Sequence, residues 1–380
     1  MLVHICCSVD SHYFLSRLRE LYPEERLRGF FYNPNIHPKS EHDLRLDDVK
    51  RSCKMLGIEL FVGEYDTQNW FDGVVGLEDE PEKGKRCNKC FDIRLIVSAQ
   101  QAKKLKEERF TTTLLSSPMK EQKILFAQGD QIAQEYGLDF IKVNVRANGG
   151  VQEQNLLAKK DNLYRQNYCG CKFALGQQRD KQGKISLEMM SDILQTDSLG
   201  SIEERRAEFH KRDVLEQDNK PYLLVQRKYQ VYRNLKCLLQ KQNGENILSY
   251  ALVNSQSKKK TTIGEVSWLQ PKLDLDLSIL KAYEDKKIQI GFSRKEDSVF
   301  VPLDFVNLVC KKNFLNFLDF RANPLSIDEE FFLRHLLCGY QSINPILIVD
   351  SKFLDSITIE IQSLFQEESI FRVTELYNKN

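Results

Sequence analysis

Apolar and polar positions change period from block to block along the first half of the chain. Short continuous apolar runs lie at Leu2–Ile5 and at residues 27–32, 58–62, 111–115 and 138–145. Runs of this length, bounded by turn residues such as Asn33-Pro34-Asn35, predict buried strands. Between them apolar residues recur at helical spacing over 11–21, 40–56, from Cys90 to about 107, and from Ser117-Pro118 to Gly137. Ser40 reads as a helix cap, and Ser117 as an N-cap with Pro118 at the first helical position. Strands alternating with helices predict an α/β fold: an open, mostly parallel, Rossmann-like sheet with helices on both faces. Ligands of such sheets bind beyond the carboxyl ends of the strands. Those ends carry Cys6, Cys7 and Asp10; Asn33, Asn35 and His37; Ser116 and Ser117; and Asn144 and Arg146.

After about residue 175 the alternation fades. Residues 177–184 are polar and read as a linker, which divides the chain into a catalytic domain over 1–176 and an accessory α+β region over 185–380, of one or two subdomains. Within that region, 222–232, 247–253 and 345–349 are strand-like, 331–338 is helical, and the SQSKKK segment at 255–260 reads as a hairpin loop. The net charge of +1 over 380 residues gives no whole-chain signal of a strongly basic nucleic-acid binder. No apolar run of about 20 residues predicts a membrane span. The first residues have no basic segment ahead of an apolar one, so a cytoplasmic protein is expected. In that compartment close cysteine pairs serve as metal ligands or catalytic thiols more often than as structural disulfides.

Six of the ten cysteines form such pairs: Cys6-Cys7, Cys87-Asn88-Lys89-Cys90 and Cys169-Gly170-Cys171, with Asp10 three residues after the first. Thiolates at these spacings suit soft metals and iron–sulfur clusters. Adjacent strand residues point to opposite faces. Cys6 and Cys7 therefore share a site only where the strand turns into a loop; otherwise they serve two neighbouring centres. Three arrangements remain open: four cysteines on a [4Fe–4S] cluster with the remaining pair and Asp10 on a second metal or as a redox disulfide, a structural zinc site, or buried thiols without metal. The basic neighbours Lys85, Arg86, Lys89 and Lys172 would offset the charge of a cluster. Cys53, Cys237, Cys310 and Cys338 read as core residues.

The pairs sit in longer motifs: HICCSVD at 4–10, FYNPNIHP at 31–38, GLEDEPEKGKRCNKCFDIRL at 76–95, TTTLLSSPMK at 111–120 and YRQNYCGCKFAL at 164–175. Together they resemble the cobalamin-independent epoxyqueuosine reductases of the QueH type over residues 1–176. The resemblance implies reduction of epoxyqueuosine to queuosine at the wobble position of tRNAs for Asp, Asn, His and Tyr, using a [4Fe–4S] cluster and a nearby mononuclear iron. By position it implies Cys6, Cys7, Cys87 and Cys90 as cluster-associated, Cys169 and Cys171 as a redox pair or further ligands, and Asp10 as the acid near the metal. The strand followed by CCSVDS also resembles the entry of PP-loop enzymes, where SGGxDS cradles phosphate. The missing glycines make ATP use doubtful. A PP-loop-like tRNA sulfur transferase and a non-catalytic, zinc-stabilised RNA-binding protein are the alternative readings.

Epoxide removal consumes two electrons and protons. No Gly-x-Gly-x-x-Gly fingerprint for a flavin or nicotinamide is present, so an external electron donor is expected. Asp10, or one of Tyr32, Tyr164 and Tyr168, is the candidate proton carrier. Asn33 and Asn35 are candidate substrate contacts. Ser116, Ser117 and Lys120 form a candidate phosphate site at the expected helix start, with Arg146 and Arg165 as further phosphate contacts. No membrane or DNA partner is expected.

Overall fold

A computed structural model describes residues 1–118, 120–189, 199–293, 297–354 and 356–376. Two compact units divide it: Met1–Leu194, Arg206–Leu224 and Val373–Asn380 form the first, and Gln195–Arg205 and Val225–Arg372 the second.

The first unit is built on a five-stranded sheet of β1 (Leu2–Ile5), β2 (Arg28–Phe31), β3 (Glu59–Val62), β4 (Arg109–Thr112) and β5 (Asp139–Phe140), in the order β3-β2-β1-β4-β5. Every pairing is parallel. The strand order reverses beside β1, which leaves a crevice at its carboxyl end. All four residues of β1 are buried, as expected for a central strand with helices on both faces. The helices among the described residues are α1 (Ser8–Leu21), α2 (Lys39–Leu56), α3 (Thr67–Val74), α4 (Lys85–Lys104), α5 (Gln122–Tyr136), α6 (Gly150–Lys160), α7 (Lys172–Lys181) and α8 (Ile202–Gln217), the last divided between the units at Arg206. Helices α2 and α5 stop at Gly57 and Gly137, both left-handed, where a side chain would be strained. The predicted open parallel α/β sheet is thus the observed one.

Several local readings change. Ser117 is not an N-cap, because α5 starts five residues later, behind Glu121. The intervening loop is held by Arg146, whose guanidinium donates to the carbonyls of Leu114, Leu115 and Lys120. The expected strand over 111–115 ends at Thr112. There a 3-10 turn begins, with the Thr112 hydroxyl accepting from the Leu114 N–H. That turn leaves the 138–145 run without a partner beyond β4, so it pairs only over Asp139–Phe140. Helix α4 starts at Lys85, so Cys87 and Cys90 lie inside its first two turns. Helix α7 carries residues 177–181 of the segment read as a linker.

The second unit contains a sheet of β7 (Ser249–Ala251), β9 (Val266–Leu269), β10 (Ile290–Ser293), β11 (Val299–Pro302) and β12 (Ile346–Val349), in the order β7-β12-β11-β10-β9. Another sheet orders β6 (Tyr222–Lys241), β13 (Ile357–Glu375) and β8 (Lys258–Ile263) as β6-β13-β8, with Tyr222–Leu224 of β6 and Val373–Glu375 of β13 counted in the first unit. Lys258–Lys260 belong to β8, paired antiparallel with β13, and not to a hairpin loop. Helices α9 (Leu277–Asp285), α10 (Leu303–Val309), α11 (Phe317–Ala322) and α12 (Ile327–Cys338) complete the α+β region expected from the sequence. No helix among the described residues is long and apolar enough to cross a membrane.

Candidate metal centre

All six paired cysteines line one cavity of about 240 Å³, together with Asp10. Three helix starts deliver them. Cys7 is the N-cap of α1, Cys87 and Cys90 are in the opening turns of α4, and Cys171 is the N-cap of α7. The partial positive charge of a helix N-terminus favours thiolate, so the three elements polarise the cavity in the same sense.

The donors fall into two groups. In the first, β1 gives way to α1 between Cys6 and Cys7, and the turn brings both side chains to one side. Their sulfurs are 3.8 Å apart and Cys6 Sγ is 3.3 Å from Asp10 Oδ2. The donor atoms of Cys6, Cys7 and Asp10 lie within 4.8 Å of one another, close enough to share a single ion. Each is held from behind. Thr113 donates its hydroxyl to Cys6 Sγ at 3.3 Å, and Gln166 Nε2 donates to Cys7 Sγ at 3.1 Å. Gln154 Nε2 donates to Asp10 Oδ1 at 2.8 Å, and Ser116 donates to Gln154 at 2.6 Å. Burial raises the Asp10 carboxyl against the hydrogen bonds from Cys6, Cys7 and Gln154. The hydrogen bond with Cys6, burial and the charge of Asp10 push the Cys7 thiol well up. A metal ion would reverse both effects by taking the deprotonated forms as ligands.

The second group is Cys87, Cys90, Cys169 and Cys171. Burial raises the Cys87 thiol and, with the neighbouring charge of Cys169, pushes Cys171 up to about 12. Lys120 lines the same cavity. Burial disfavours its charge, but negative charge on the facing sulfurs of Cys169, Cys87 and Cys90 favours it, and the net shift is upward. The CGC loop is positioned by its backbone. Arg45, paired with Glu41 at 2.7 Å, donates to the carbonyls of Tyr168 (3.0 Å) and Cys169 (3.2 Å). The His37 N–H donates to the Gly170 carbonyl at 2.8 Å. Gly170 has φ +104°, and a Cβ there would come within 2.8 Å of Ile36.

Of the other sequence candidates, Asn33, Asn35, Ser117, Lys120 and Tyr168 line the cavity. Asn33 donates to the Ile5 carbonyl and accepts from Arg94, while Asn35 Oδ1 is buried without a partner. Ser116 is fully buried against Gln154 and supports Asp10, not a phosphate. Tyr164 lies outside the cavity lining; its hydroxyl donates to Glu41 and its N–H to Asp48. Tyr32 pairs with Asn69, and exposed Arg165 with Asn155. Arg146 spends its donors on loop carbonyls.

Residues 1–177 match the family described as epoxyqueuosine reductase QueH. A QueH from Helicobacter pylori is 41% identical over 378 residues, covering 98% of this chain and 99% of that protein. The chain belongs to the epoxyqueuosine reductase QueH family. A second QueH, from Thermotoga maritima, is 37% identical over 189 residues, 49% of this chain and 95% of that protein. Among solved structures, the U34-tRNA thiolase NcsA from Methanococcus maripaludis, described with its [4Fe-4S] cluster, is 18% identical. It covers 57% of this chain and 73% of its own, at a TM-score of 0.32, too low to add to the strand order above.

Within this QueH family member, the sequence reading missed Thr113, Gln154 and Gln166 behind the first donor group, and Arg45 and Arg94 beside the second. Arg94 had a usable signal. It follows Cys90 by four residues on α4, so helix geometry puts it on the same face. The glutamines carried none, since they come from α6 and the loop before α7.

Proposed function

We propose that this protein reduces epoxyqueuosine to queuosine at the wobble position of tRNA, with residues 1–176 as the catalytic part. The observation that carries the reading is the gathering of three separate cysteine pairs and Asp10 around one cavity, in a chain that matches a QueH along nearly its whole length. The donor chemistry fits two centres. Cys87, Cys90, Cys169 and Cys171 would hold a [4Fe–4S] cluster, whose cube spreads four thiolates farther apart than one ion does. Cys6, Cys7 and Asp10 would hold a mononuclear iron. This regroups the ligands relative to the resemblance, which paired Cys6 and Cys7 with Cys87 and Cys90.

Bound iron centres would supply electrons and a Lewis-acidic position to an epoxide oxygen that leaves as water. The chain's own residues do the rest. Asn35 Oδ1 and Lys120 Nζ present an acceptor and a proton-bearing donor to a flipped-out nucleotide. Gln154 and Ser116 fix the orientation of the Asp10 carboxylate. The tRNAs would be those for Asp, Asn, His and Tyr, the electrons would come from a separate donor, and the setting would be the cytoplasm.

The test is anaerobic incubation of metal-loaded protein with epoxyqueuosine-containing tRNA and a reductant, followed by nucleoside mass spectrometry. Queuosine should appear, and tRNA binding should weaken as salt rises. A protein that carries iron and sulfide and yields no queuosine would overturn the assignment.

A further inference from the structure

We propose that Arg86, Arg94 and Lys120 are a built-in countercharge that favours the reduced state of a cluster held by Cys87, Cys90, Cys169 and Cys171. The inference rests on the reading of those four residues as cluster ligands.

A buried cation is tolerated when a carboxylate or another anion faces it. Two buried arginines of this unit obey that rule: Arg45 pairs with Glu41, and Arg212 with Asp48 at 2.8 Å. Arg45 lines the cavity too, but its other three cations, buried Arg86 and Arg94 and half-buried Lys120, have no such partner. Arg86 is 1% exposed and Arg94 4%. Arg86 Nη1 donates to the carbonyls of Leu77 and Glu78, but its Nε and Nη2 are buried without partners. Arg94 Nη2 donates to Asn33 Oδ1, and its Nε has no partner. Lys120 Nζ rests 5.7 Å over the Phe91 ring. Among the described residues none of the three is in salt-bridge contact with a carboxylate. Glu82 lines the same cavity and accepts from Gln178. Asp10 belongs to the other donor group.

The missing anion is on the same wall. Arg86 directly precedes Cys87, and Arg94 lies one helical turn after Cys90. A [4Fe–4S] core with four thiolates is anionic when oxidised, and taking up one electron adds a negative charge with no bond made or broken. Fixed positive charge beside it therefore stabilises the reduced form more than the oxidised form. The helix starts behind Cys90 and Cys171 act in the same direction. These residues thus act through the cluster, by setting how readily it accepts an electron.

The experiment is a redox titration of the reconstituted full-length protein, followed by electron paramagnetic resonance of the reduced cluster. Lys120→Met and Arg94→Met should each shift the oxidised-to-reduced equilibrium about tenfold toward the oxidised form, which for one electron is ~59 mV. Lys120→Arg keeps the charge and should stay at the wild-type potential. Among the described residues the Lys120 ammonium donates no hydrogen bond, so its two variants decide the matter even if Arg94→Met fails to fold. Wild-type potentials in Lys120→Met with a fully loaded cluster would overturn the proposal. So would an unchanged potential with weakened tRNA binding, which would make these cations a phosphate site. A wild-type protein that takes up neither iron nor sulfide would instead sink the ligand reading beneath it.

Discussion

Asp10 and Cys87 belong to different donor groups, so their loss should be separable. Asp10→Asn keeps the shape and the Gln154 contact but removes a charged donor. Iron content should fall while the brown colour and inorganic sulfide persist, because the four cysteines of the second group are untouched. Cys87→Ala should lose colour and sulfide together. Iron and sulfide assays on both variants check this, and equal loss in both would mean one shared centre. His37 allows a different test. Burial lowers its imidazole to about 4 from an ordinary 6.5, with Nδ1 against the Asn35 carbonyl at 2.9 Å. The unfolded chain therefore binds a proton between those values that the folded chain does not. Stability is full above pH 6.5 and declines toward pH 4, by about 3 kcal/mol from this group. Denaturation of wild type and His37→Gln across that interval should show the variant with the flatter profile. At this scale the cysteines and Asp10 were legible because close spacing is itself a signal. Gln154 and Gln166 were not, since an isolated glutamine looks the same on a surface as behind a ligand.

The elements that aim the ligands follow from local rules, and their ends follow from partners. Strand β1 and helices α1 and α2 could be read from apolar period and turn residues alone. The length of β5 could not, because it is set by where β4 bends into its 3-10 turn. Nor could the start of α5, because Arg146 takes up the carbonyls of the loop before it. The long strand β13 escaped notice because its alternation breaks after Ile361, where Ser363 and Leu364 are both half-buried and Phe365 is exposed. Between Cys169 and Cys171 the local rule is strict. Gly170 combines a left-handed backbone with close packing on Ile36, so Gly170→Ala is strained twice. The expected cost is about 1–3 kcal/mol, with both flanking thiols displaced. Thermal unfolding should register the loss of stability, and reduced sulfide per chain the displaced ligands. Full cluster loading in this variant would show that the loop tolerates a different path.

At the scale of the whole chain, residues beyond the family match join the first compact unit. The family match stops at residue 177, yet the first compact unit also takes in Arg206–Leu224. Helix α8 enters it through Arg212, whose guanidinium pairs with Asp48 of α2 at 2.8 Å, both side chains 1% exposed. The other oxygen of Asp48 accepts from the hydroxyl of Ser8, next to Cys7, and from the N–H of Tyr164, ahead of the CGC loop. One buried carboxylate thus ties the strand-to-helix turn of the first donor group to the segment leading into the second. Its neutralising charge comes from beyond the common part of the family. Arg212→Met should leave Asp48 buried without a cation and cost about 3–5 kcal/mol. Asp48→Asn alone removes the other partner. The double variant, with no charge left to pair, should be more stable than the sum of the two losses implies. Denaturant unfolding of all four proteins as full chains measures the coupling, and iron and sulfide content read beside it shows whether the loss reaches the ligands. Additive losses would mean that α8 is only packed against the catalytic sheet. A coupled loss that also empties the metal sites would make this helix part of the catalytic unit.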